Sequence, residues 1–394
     1  MTYPVYLIAA ARTAIGSFGG TLQSVAPVDL GIHATQAAVE RSAIDPSCIA
    51  SQVVGHVIRT EVKDAYMARR ITLGAQLPLE CQSLTLNRLC GSGLEAITFA
   101  TQQIQLGEVS AAVAGGTESM SRSGHLMTTN RWGQRMGDSM VQDELTGALT
   151  DPFGVGHMGV TAENLAERYN IGREQQDEFA LESQRRAATA IENGYFQSQI
   201  APIELRSKKA THIFDTDEHP RATTLEALSG LRPAFKTEGS VTAGNASGIN
   251  DGAAMVVLAD EQTVSDQNIA PMARIVSYGR CGVANDIMGI GPVGASQRAL
   301  QRAGLNVNEL DVVESNEAFA AQALSVAKEL EFDPANTNPN GGAIALGHPI
   351  GASGAVLMTK LAYELIRVKG RYGLVTLCIG GGQGIAMVIE NLQR

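Results

Sequence analysis

Cys90 is the first residue of this sequence whose type and setting suggest chemistry. It follows the apolar segment 83–86 and precedes Gly91-Ser92-Gly93 and a helix-like run, so we expect it at a strand-to-helix junction. Because unpaired N–H groups at the start of a helix favour a thiolate, a lowered pKa of the Cys90 thiol is predicted. The alternative from this segment alone is a buried structural cysteine, the commonest state of a free cysteine.

His348 and Cys378 also lie in glycine-rich stretches. His348 is framed by Gly347 and Pro349, and such a rigid loop can hold an imidazole as a base or an oxyanion donor, although a lone histidine is more often structural. Cys378 ends an apolar run and precedes the glycine-rich segment 380–384, whose backbone N–H groups suit an anion. A nucleophilic thiol, a base and a second thiol that moves a proton point to acyl transfer through a thioester.

Asn316 stands between a strand-like run and a helix-like run. Serine and asparagine side chains commonly accept a hydrogen bond from the first turn of a helix. The residues alone therefore predict that Ser315 or Asn316 caps the helix that follows.

Two stretches of the chain have the alternating strand and helix pattern that must position these residues. Residues 1–118, and again those from about 251 onward, predict βαβ units around a mostly buried sheet. The segment between them differs, since it holds the one tryptophan, Trp132, and many methionines and glycines. We expect an α/β protein with a long insertion between its halves.

The two halves repeat the same order of features. In the first, Gly91-Ser92-Gly93 precedes a helical run, which is followed by the strand-like segment 111–114 and two glycines. In the second, Ala352-Ser353-Gly354 precedes a helical run, which is followed by the strand-like segment 374–377 and three glycines. Duplicated α/β halves usually meet at a shared cleft, so one site containing both cysteines is predicted.

Charge and cysteine usage exclude several classes of function. The 394-residue chain has 30 Lys and Arg against 40 Asp and Glu, a formal net charge of −10. Nucleic acids and anionic membranes need clustered positive charge, so neither is expected as a partner. The five cysteines form no C-x-x-C pair, which predicts neither a metal site nor a disulfide framework. Reduced thiols and an N-terminus without signal-peptide features predict a cytoplasmic protein.

Four segments in this order and spacing resemble the catalytic segments of the thiolase family. They are Asn87-Arg-Leu-Cys90-Gly-Ser-Gly-Leu94, Asn316-Glu-Ala-Phe319, Gly347-His348-Pro-Ile-Gly351 and Cys378-Ile-Gly-Gly-Gly-Gln-Gly384. The resemblance continues through Gly115-Gly-Thr-Glu-Ser-Met120 and Thr242-Ala-Gly-Asn-Ala-Ser-Gly248 and spans essentially the whole chain. Within the family the sequence looks most like the bacterial short-chain type.

The resemblance implies a fold and a domain organisation. The expected fold is α/β, with duplicated βα halves in a layered α-β-α-β-α arrangement and an inserted loop domain. Residues 1–118 with 251–270 would form the N-terminal half and residues 271–394 the C-terminal half. Residues 119–250 would form the inserted loop domain, which in relatives binds CoA and makes tetramer contacts. A homotetramer, a dimer of dimers, is therefore expected.

The resemblance also implies a role for each catalytic residue. Cys90 would be the acylated nucleophile, and His348 would activate it. Cys378 would protonate the departing enolate in thiolysis or remove the α-proton in condensation. One oxyanion hole would come from His348 with a water held by Asn316, and the other from the backbone N–H groups of Cys90 and Gly380.

Contacts to the substrate are implied in the same way. Ser247 would contact pantetheine, Arg221 would lie near the adenine, and a further set would line the pantetheine arm and the acyl pocket. That set is His157, Met158, Phe235, Met288, Ala318 and Phe319. An anionic ligand would need a local positive patch, for which Arg206, Lys208, Lys209 or Arg221 are the candidates. The chain departs from the usual pattern at Ser315, 59–70 and 206–226.

The expected activity is reversible Claisen condensation and thiolysis, in which two acetyl-CoA give acetoacetyl-CoA and CoA, through an acyl-Cys90 intermediate. Coenzyme A would be substrate and product, with no other cofactor and no metal. One alternative is a degradative 3-ketoacyl-CoA thiolase that prefers medium or long chains. Two others are a decarboxylating ketoacyl synthase, which should lack Cys378, and an inactive acyl-CoA carrier, which should have lost a catalytic residue.

Overall fold

The structure, a computed structural model, describes residues 3–206 and 210–394. The strands within those residues are β1 Val5–Arg12, β2 Gly16–Ser17, β3 Ile49–Gly55, β4 Gln82–Leu86, β5 Ala111–Ser119, β6 His125–Leu126, β7 Gln142–Asp143, β8 Thr150–Asp151, β9 Gly156–His157, β10 Ile203–Arg206, β11 Thr211–Phe214, β12 Asn250–Asp260, β13 Ala273–Gly282, β14 Val312–Ser315, β15 Tyr372–Ile379 and β16 Gln383–Asn391. The α-helices are α1 Pro27–Ser42, α2 Met67–Gly74, α3 Ser92–Gln105, α4 Glu144–Ala148, α5 Met158–Tyr169, α6 Arg173–Glu192, α7 Leu225–Ser229, α8 Glu261–Asp266, α9 Gly291–Ala303, α10 Ala320–Leu330, α11 Ala343–Leu346 and α12 Ser353–Val368. None of these helices in the described residues has the length and hydropathy needed to span a bilayer.

The main sheet contains two runs of strands with the same order and the same directions. The first run is β4-β3-β5-β12-β1, in which β4, β3 and β5 are parallel and β12 is antiparallel to both of its neighbours. The second is β14-β15-β16-β13, in which β14 and β15 are parallel and β16 is antiparallel to both of its neighbours. A parallel bridge from Val313 to Thr337 stands where β4 stands in the first run. The duplicated halves predicted from the sequence are confirmed.

The central strands are buried on both faces because helices cover them. Every residue of β5 and every residue of β12 except the last is buried. This burial fits the small and apolar composition of the two strands. α3 and α12 pack on each other between the two halves of the sheet, while α1 packs on β1, β5 and β12 and α9 packs on β13, β15 and β16. The result is the predicted order of helix, sheet, helix, sheet and helix layers.

Glycine allows the N-termini of the two central helices to approach closely. A Cβ atom on Gly93 would lie 2.8 Å from the backbone nitrogen of Ala355, and one on Gly354 would overlap the backbone nitrogen of Leu94. The loop before α3 carries Cys90 and the loop before α12 carries His348. This close packing therefore brings the two predicted catalytic loops together.

The segment between β5 and β12 packs against the second half of the chain. Its helices α5 and α6 contact α10, and α6 also contacts α11. Among its described residues, the strands form two-stranded sheets, namely β6-β7, β8-β9 and β10-β11. The division of the chain into an N-terminal half, an inserted domain and a C-terminal half stays a prediction.

The expected helix cap at Ser315 or Asn316 is wrong. α10 begins at Ala320, its N-cap residue is Phe319, and no side chain caps it. The N–H of Ala320 donates instead to the carbonyl of Asn245, 2.8 Å away. Because a backbone carbonyl from the inserted segment satisfies the helix start, the side chain of Asn316 is free for another partner.

Candidate active site

Cys90 lies in a tight turn between β4 and α3, so the predicted strand-to-helix junction is confirmed. Leu89, just before it, has a φ of +47°, a left-handed conformation that is uncommon for a leucine. Ser92 holds the turn, since its hydroxyl donates to the Leu89 carbonyl at 2.7 Å and accepts the Arg88 N–H at 2.8 Å. The strained turn presents Cys90 at the N-terminus of α3.

Burial, not the helix terminus, controls the Cys90 thiol. Burial raises its pKa to about 11, the nearby Glu118 charge adds to the rise, and the backbone N–H groups of Gly380 and Cys90 only partly oppose it. The expectation of a lowered pKa is therefore wrong, because desolvation of the charged thiolate outweighs the N–H donors at the helix start. The thiol is protonated at neutral pH and needs a base as it attacks.

His348 has the properties of that base. Its Nδ1 lies 2.6 Å from the Ser353 hydroxyl, which itself donates to the Pro349 carbonyl at 2.8 Å. The proton between His348 and Ser353 therefore belongs to Nδ1, which leaves Nε2 unprotonated and able to accept a hydrogen bond. Nε2 is 3.4 Å from the side-chain nitrogen of Asn316. Burial lowers the pKa of His348 to about 4, so the ring is neutral at pH 7 and can accept a proton.

The low pKa of His348 predicts a measurable acid sensitivity. Below pH of about 6.5 the unfolded chain binds a proton at this histidine that the folded chain does not bind until the pH nears about 4. The free energy of unfolding should thus fall by up to about 3 kcal/mol across that window from this residue. Urea unfolding at both ends of the window should show a smaller loss for His348→Asn than for the parent. Equal losses in the two proteins would contradict a buried neutral imidazole.

Cys378 is a buried thiol next to the half-buried Cys90. It is the next-to-last residue of β15, where it pairs with Gly384 of β16, and it is 1% exposed. Burial raises the pKa of Cys378, and the proximity of Cys90 raises it further. A Cβ atom on Gly380 would lie 3.0 Å from the Met158 methyl carbon, so the Gly380 N–H can approach the site only because this residue is glycine. The structure thus brings Cys90, Cys378 and Gly380 together.

An apolar cluster surrounds Cys378 and contains most of the predicted substrate contacts. Its members are Met158, Ala162, Val241, Ala246, Met288, Ala318, Phe319 and Cys378, with Phe235 packed against them. Phe235 stacks on His157 with ring centroids 4.7 Å apart, and its edge meets Phe319 at 5.9 Å. Burial lowers the pKa of His157, whose Nδ1 accepts the Gly159 N–H at 3.1 Å. This cluster gives the second thiol an apolar wall on the side of the inserted segment.

Ser247 and Arg221 lie farther out. Ser247 is half-buried, and its N–H donates to the Ala318 carbonyl at 2.9 Å. Arg221 is exposed, outside the apolar cluster, and donates to the Ala243 carbonyl at 3.2 Å. Arg206, expected in the same positive patch, is paired with Glu204 at 2.7 Å. The other two members of that patch, Lys208 and Lys209, lie outside the described residues.

Comparison with known proteins decides the family. The family descriptions "Thiolase, N-terminal domain" and "Thiolase, C-terminal domain" match residues 5–262 and 269–391. The chain belongs to the thiolase family. The thiolase is 52% identical to the beta-ketothiolase BktB of Cupriavidus necator over 394 residues, which cover 100% of both chains.

Solved structures agree with this assignment. The acetyl-CoA acetyltransferase of Bacillus anthracis superposes with a TM-score of 0.97 at 45% identity, covering 99% of both chains. The human mitochondrial 3-ketoacyl-CoA thiolase in complex with CoA superposes with a TM-score of 0.95 at 44% identity, covering 99% of this chain and 98% of that one. The chain therefore has the same fold as these thiolases.

Sequence reasoning missed the residues that hold the catalytic loops of this thiolase. Glu118, at the end of β5, accepts the Gly351 N–H at 2.9 Å, and Asn250 accepts the His348 N–H at 2.9 Å. Ser353, described above, orients the His348 ring. Glu118 could have been found, because it is a carboxylate at the end of a predicted buried strand. An unpaired buried charge is costly, so such a residue is expected to hold specific partners. Asn250 and Ser353 offered no comparable signal.

Ser315, where the chain departs from the usual family pattern beside Asn316, is held through its backbone. Its N–H donates to the side chain of Asn338 at 2.9 Å, and its carbonyl accepts from the same side chain at 2.8 Å. Its hydroxyl is buried and has no hydrogen-bond partner within the described part of this thiolase. The Asn338 clamp therefore positions Asn316 through the backbone.

Proposed function

We propose that this thiolase is an acyltransferase that catalyses reversible Claisen condensation and thiolysis. Two acetyl-CoA would give acetoacetyl-CoA and CoA, and related short-chain 3-ketoacyl-CoAs would react in the same way. The observation that carries the proposal is that the thiols of Cys90 and Cys378 are neighbours and that the loop carrying Cys90 packs closely against the loop carrying His348. The names of the relatives, beta-ketothiolase and acetyl-CoA acetyltransferase, support it.

The first half-reaction acylates Cys90. The sulfur attacks the thioester carbonyl of acetyl-CoA while its proton moves to Nε2 of His348. The backbone N–H groups of Cys90 and Gly380 would stabilise the oxyanion of the tetrahedral intermediate, and each such donor is typically worth about 10²–10³ in rate. The intermediate collapses with loss of the CoA thiolate, which takes the proton of Cys378. The products are acetyl-Cys90, free CoA, a Cys378 thiolate and a protonated His348.

The second half-reaction forms the carbon–carbon bond. The Cys378 thiolate removes an α-proton from a second acetyl-CoA, and its high pKa makes it a strong enough base to contribute to this step. Protonated His348, with a water held by Asn316, would stabilise the enolate oxygen. The enolate carbon attacks acetyl-Cys90, and the expelled Cys90 thiolate regains its proton from His348. Both thiols and the imidazole return to their starting states.

Coenzyme A is substrate and product in this scheme, so the chemistry needs no resident cofactor or metal. Met158, Phe235, Met288, Ala318 and Phe319, which surround Cys378, are the proposed acyl and pantetheine contacts. His157 supports this wall by stacking on Phe235, while Ser247 and Arg221 are proposed contacts to pantetheine and adenine. A cytoplasmic location is proposed from the reduced thiols that the reaction requires.

A degradative 3-ketoacyl-CoA thiolase is the second candidate, and one cavity favours it. The cavity has a volume of about 920 Å³ and is lined in part by Val57, Ile58 and Ala148. The same three residues belong to the apolar cluster that contains Cys90. A longer acyl chain on Cys90 would find apolar surface there.

Thiolysis rates against acyl length separate the two candidates. Purified enzyme with CoA should cleave acetoacetyl-CoA fastest, with kcat/KM falling as the acyl chain lengthens. The loss of 3-ketoacyl-CoA absorbance measures the rate, and Cys90→Ala supplies the uncatalysed background. A maximum at longer chains would keep the mechanism but assign the degradative role, and no cleavage at any length would contradict both.

A homotetramer is proposed from two exposed apolar surfaces. The first is at β4, an edge strand of the sheet, where Leu84 is 38% exposed and Leu79, just before the strand, is 72% exposed. The second lies in the inserted segment, where Trp132 is 90% and Met136 is 86% exposed. Exposed apolar patches and unpaired edges commonly mark interfaces. Light scattering should give the mass of four chains for the parent and of two for a Trp132→Asp, Met136→Asp variant, whereas a monomeric parent would contradict the proposal.

A further inference from the structure

His56 is a buried histidine that the mechanism above does not use. It directly follows β3, and its side chain is 3% exposed. Its Nδ1 lies 3.1 Å from the Thr117 carbonyl and 3.3 Å from the Glu118 carboxylate, and its Nε2 faces Asp64 at 3.8 Å. β3 and β5 are parallel neighbours, so His56 and Glu118 meet at the carboxyl ends of these two strands.

Both ring nitrogens of His56 face only acceptors, which fits an imidazolium, and the 3.8 Å between Nε2 and Asp64 is an ion-pair distance rather than a hydrogen bond. A carbonyl and a carboxylate lie at Nδ1 and a second carboxylate at Nε2, and none of these can donate to an unprotonated nitrogen. Burial by itself lowers the pKa of His56, but the charges of Glu118 and Asp64 and the Thr117 carbonyl outweigh it, so the net shift is upward. Asp64 comes from the segment 59–70, one of the stretches in which the chain departs from the usual family pattern.

Glu118 links His56 to the nucleophile. Its carboxylate accepts the backbone N–H groups of Val57 and Ile58, both at 3.2 Å, and that of Gly351 at 2.9 Å. Val57 and Ile58 pack in the same apolar cluster as Cys90. Burial raises the pKa of Glu118, and the charge of His56 and the three N–H donors oppose that rise by favouring the carboxylate. The carboxylate charge in turn raises the pKa of the Cys90 thiol.

We propose that His56 is a positioning residue of this site. As an imidazolium between Asp64 and Glu118, it holds Glu118 beneath the loops beside Cys90 and offsets the carboxylate charge that a Cys90 thiolate would otherwise face. The inference rests on the proposed role of Cys90 as nucleophile. It also gives the unusual segment a function, since that segment supplies Asp64.

The other charges near His56 do not replace it. Arg70, on α2, reaches Asp64 at 3.3 Å but is shared with Glu61 at 2.6 Å. Together Asp64, Glu118, Glu61 and Arg70 carry two net negative charges, which the imidazolium reduces to one. Loss of His56 therefore leaves the Cys90 side of the network more negative.

Alkylation of Cys90 tests the proposal without depending on turnover. Iodoacetamide, which is neutral, and iodoacetate, which is an anion, are reacted with the full-length enzyme at pH of about 8, and peptide mass spectrometry resolves Cys90 from the other cysteines. For His56→Gln we expect the iodoacetamide rate to fall about tenfold, which corresponds to about one unit of pKa. The ratio of the iodoacetamide rate to the iodoacetate rate should rise severalfold. The thiolate fraction changes both rates equally and cancels in the ratio, whereas the added negative charge repels only the iodoacetate anion.

Two further variants complete the test. The matched control is His33→Gln, because His33 is a half-buried histidine bonded to the Ala201 carbonyl at 3.2 Å, and it should keep the parent rates and ratio. Adding Glu118→Gln to His56→Gln should restore the ratio by removing the unbalanced charge. If His56→Gln fails to fold, His56→Asn removes the same positive charge with a shorter side chain and should move both readouts in the same direction.

The possible results separate this inference from the proposed function. Unchanged rates in His56→Gln, or a fall in both rates with an unchanged ratio, would overturn the proposed role of His56. Turnover is measured separately with Cys90→Ala. If that variant still turned over, the proposed function would fail whatever the alkylation of Cys90 showed.

Discussion

Replacement of Cys90 by alanine is expected to lower thiolysis by about 10⁴-fold or more and to remove the acyl-enzyme at the same time. The reason is that both half-reactions pass through a thioester on this sulfur, and no second nucleophile can take its place. Cys378 is adjacent, but its thiol is also buried and is needed for proton transfer. Intact-protein mass after incubation with acetyl-CoA measures acylation, and CoA-dependent cleavage of acetoacetyl-CoA measures turnover.

The matched control for this experiment is Cys48→Ala. Cys48 is half-buried and interacts with Gln267, whose side-chain nitrogen lies 3.1 Å from its sulfur, and it is not part of the clusters that contain Cys90 or Cys378. This variant should acylate and turn over like the parent. Turnover that survives Cys90→Ala would contradict the nucleophile assignment. Loss of acylation in Cys48→Ala would show that removing a cysteine impairs the enzyme by disturbing its fold.

Replacement of Cys378 by alanine is expected to separate the two half-reactions. Acetylation of Cys90 from acetyl-CoA should continue, because His348 can return its own proton to the leaving CoA thiolate. Condensation should fall by about 10²–10⁴-fold, the usual range for losing a general acid or base. Exchange of the α-protons of acetyl-CoA with deuterated water should fall by the same factor, since that exchange needs the base but not bond formation.

The comparison for this variant is Cys81→Ala. Cys81 is likewise buried, its thiol donates weakly to the Gln82 carbonyl at 3.6 Å, and burial raises its pKa to about 11. It tests whether loss of any buried thiol impairs condensation. If Cys378→Ala kept both acylation and deuterium exchange at parent rates, the proton would have to be moved by another group.

Local patterns determined much of the fold. The alternation of apolar runs with helical runs predicted β5, β15 and the helices α3 and α12, and the repeated order of small residues, helix, strand and glycines predicted two equivalent halves. Such features depend on neighbouring residues through backbone hydrogen bonding and side-chain periodicity, so they are visible in the sequence. The pairing of the halves through β1 and β13, seen at Leu7 and Ala273, was not visible, because it joins segments far apart in the chain.

The types of the reactive residues were also determined by the sequence. Two thiols and an imidazole in glycine-rich turns already predicted acyl transfer through a thioester, since few other reactions use that set without a metal. The positions of Cys90 and His348 before α3 and α12 followed from the same turns. The resemblance to thiolases then named Asn316 and the substrate contacts, which the residues alone did not.

Only the tertiary structure decided how these groups ionise. The helix start before α3 predicted a low pKa for Cys90, yet burial raises it, because the surrounding side chains come from both halves of the chain and remove the thiol from water. The same burial makes His348 a neutral base. The pairing of β3 with β5 places His56 beside Glu118, whose charge acts on the Cys90 thiol. Desolvation and charge proximity depend on distances between residues that are remote in sequence, whereas backbone hydrogen bonding depends on neighbours. The sequence alone therefore determined which chemistry is present, and the packing of the two halves decided which group carries each proton.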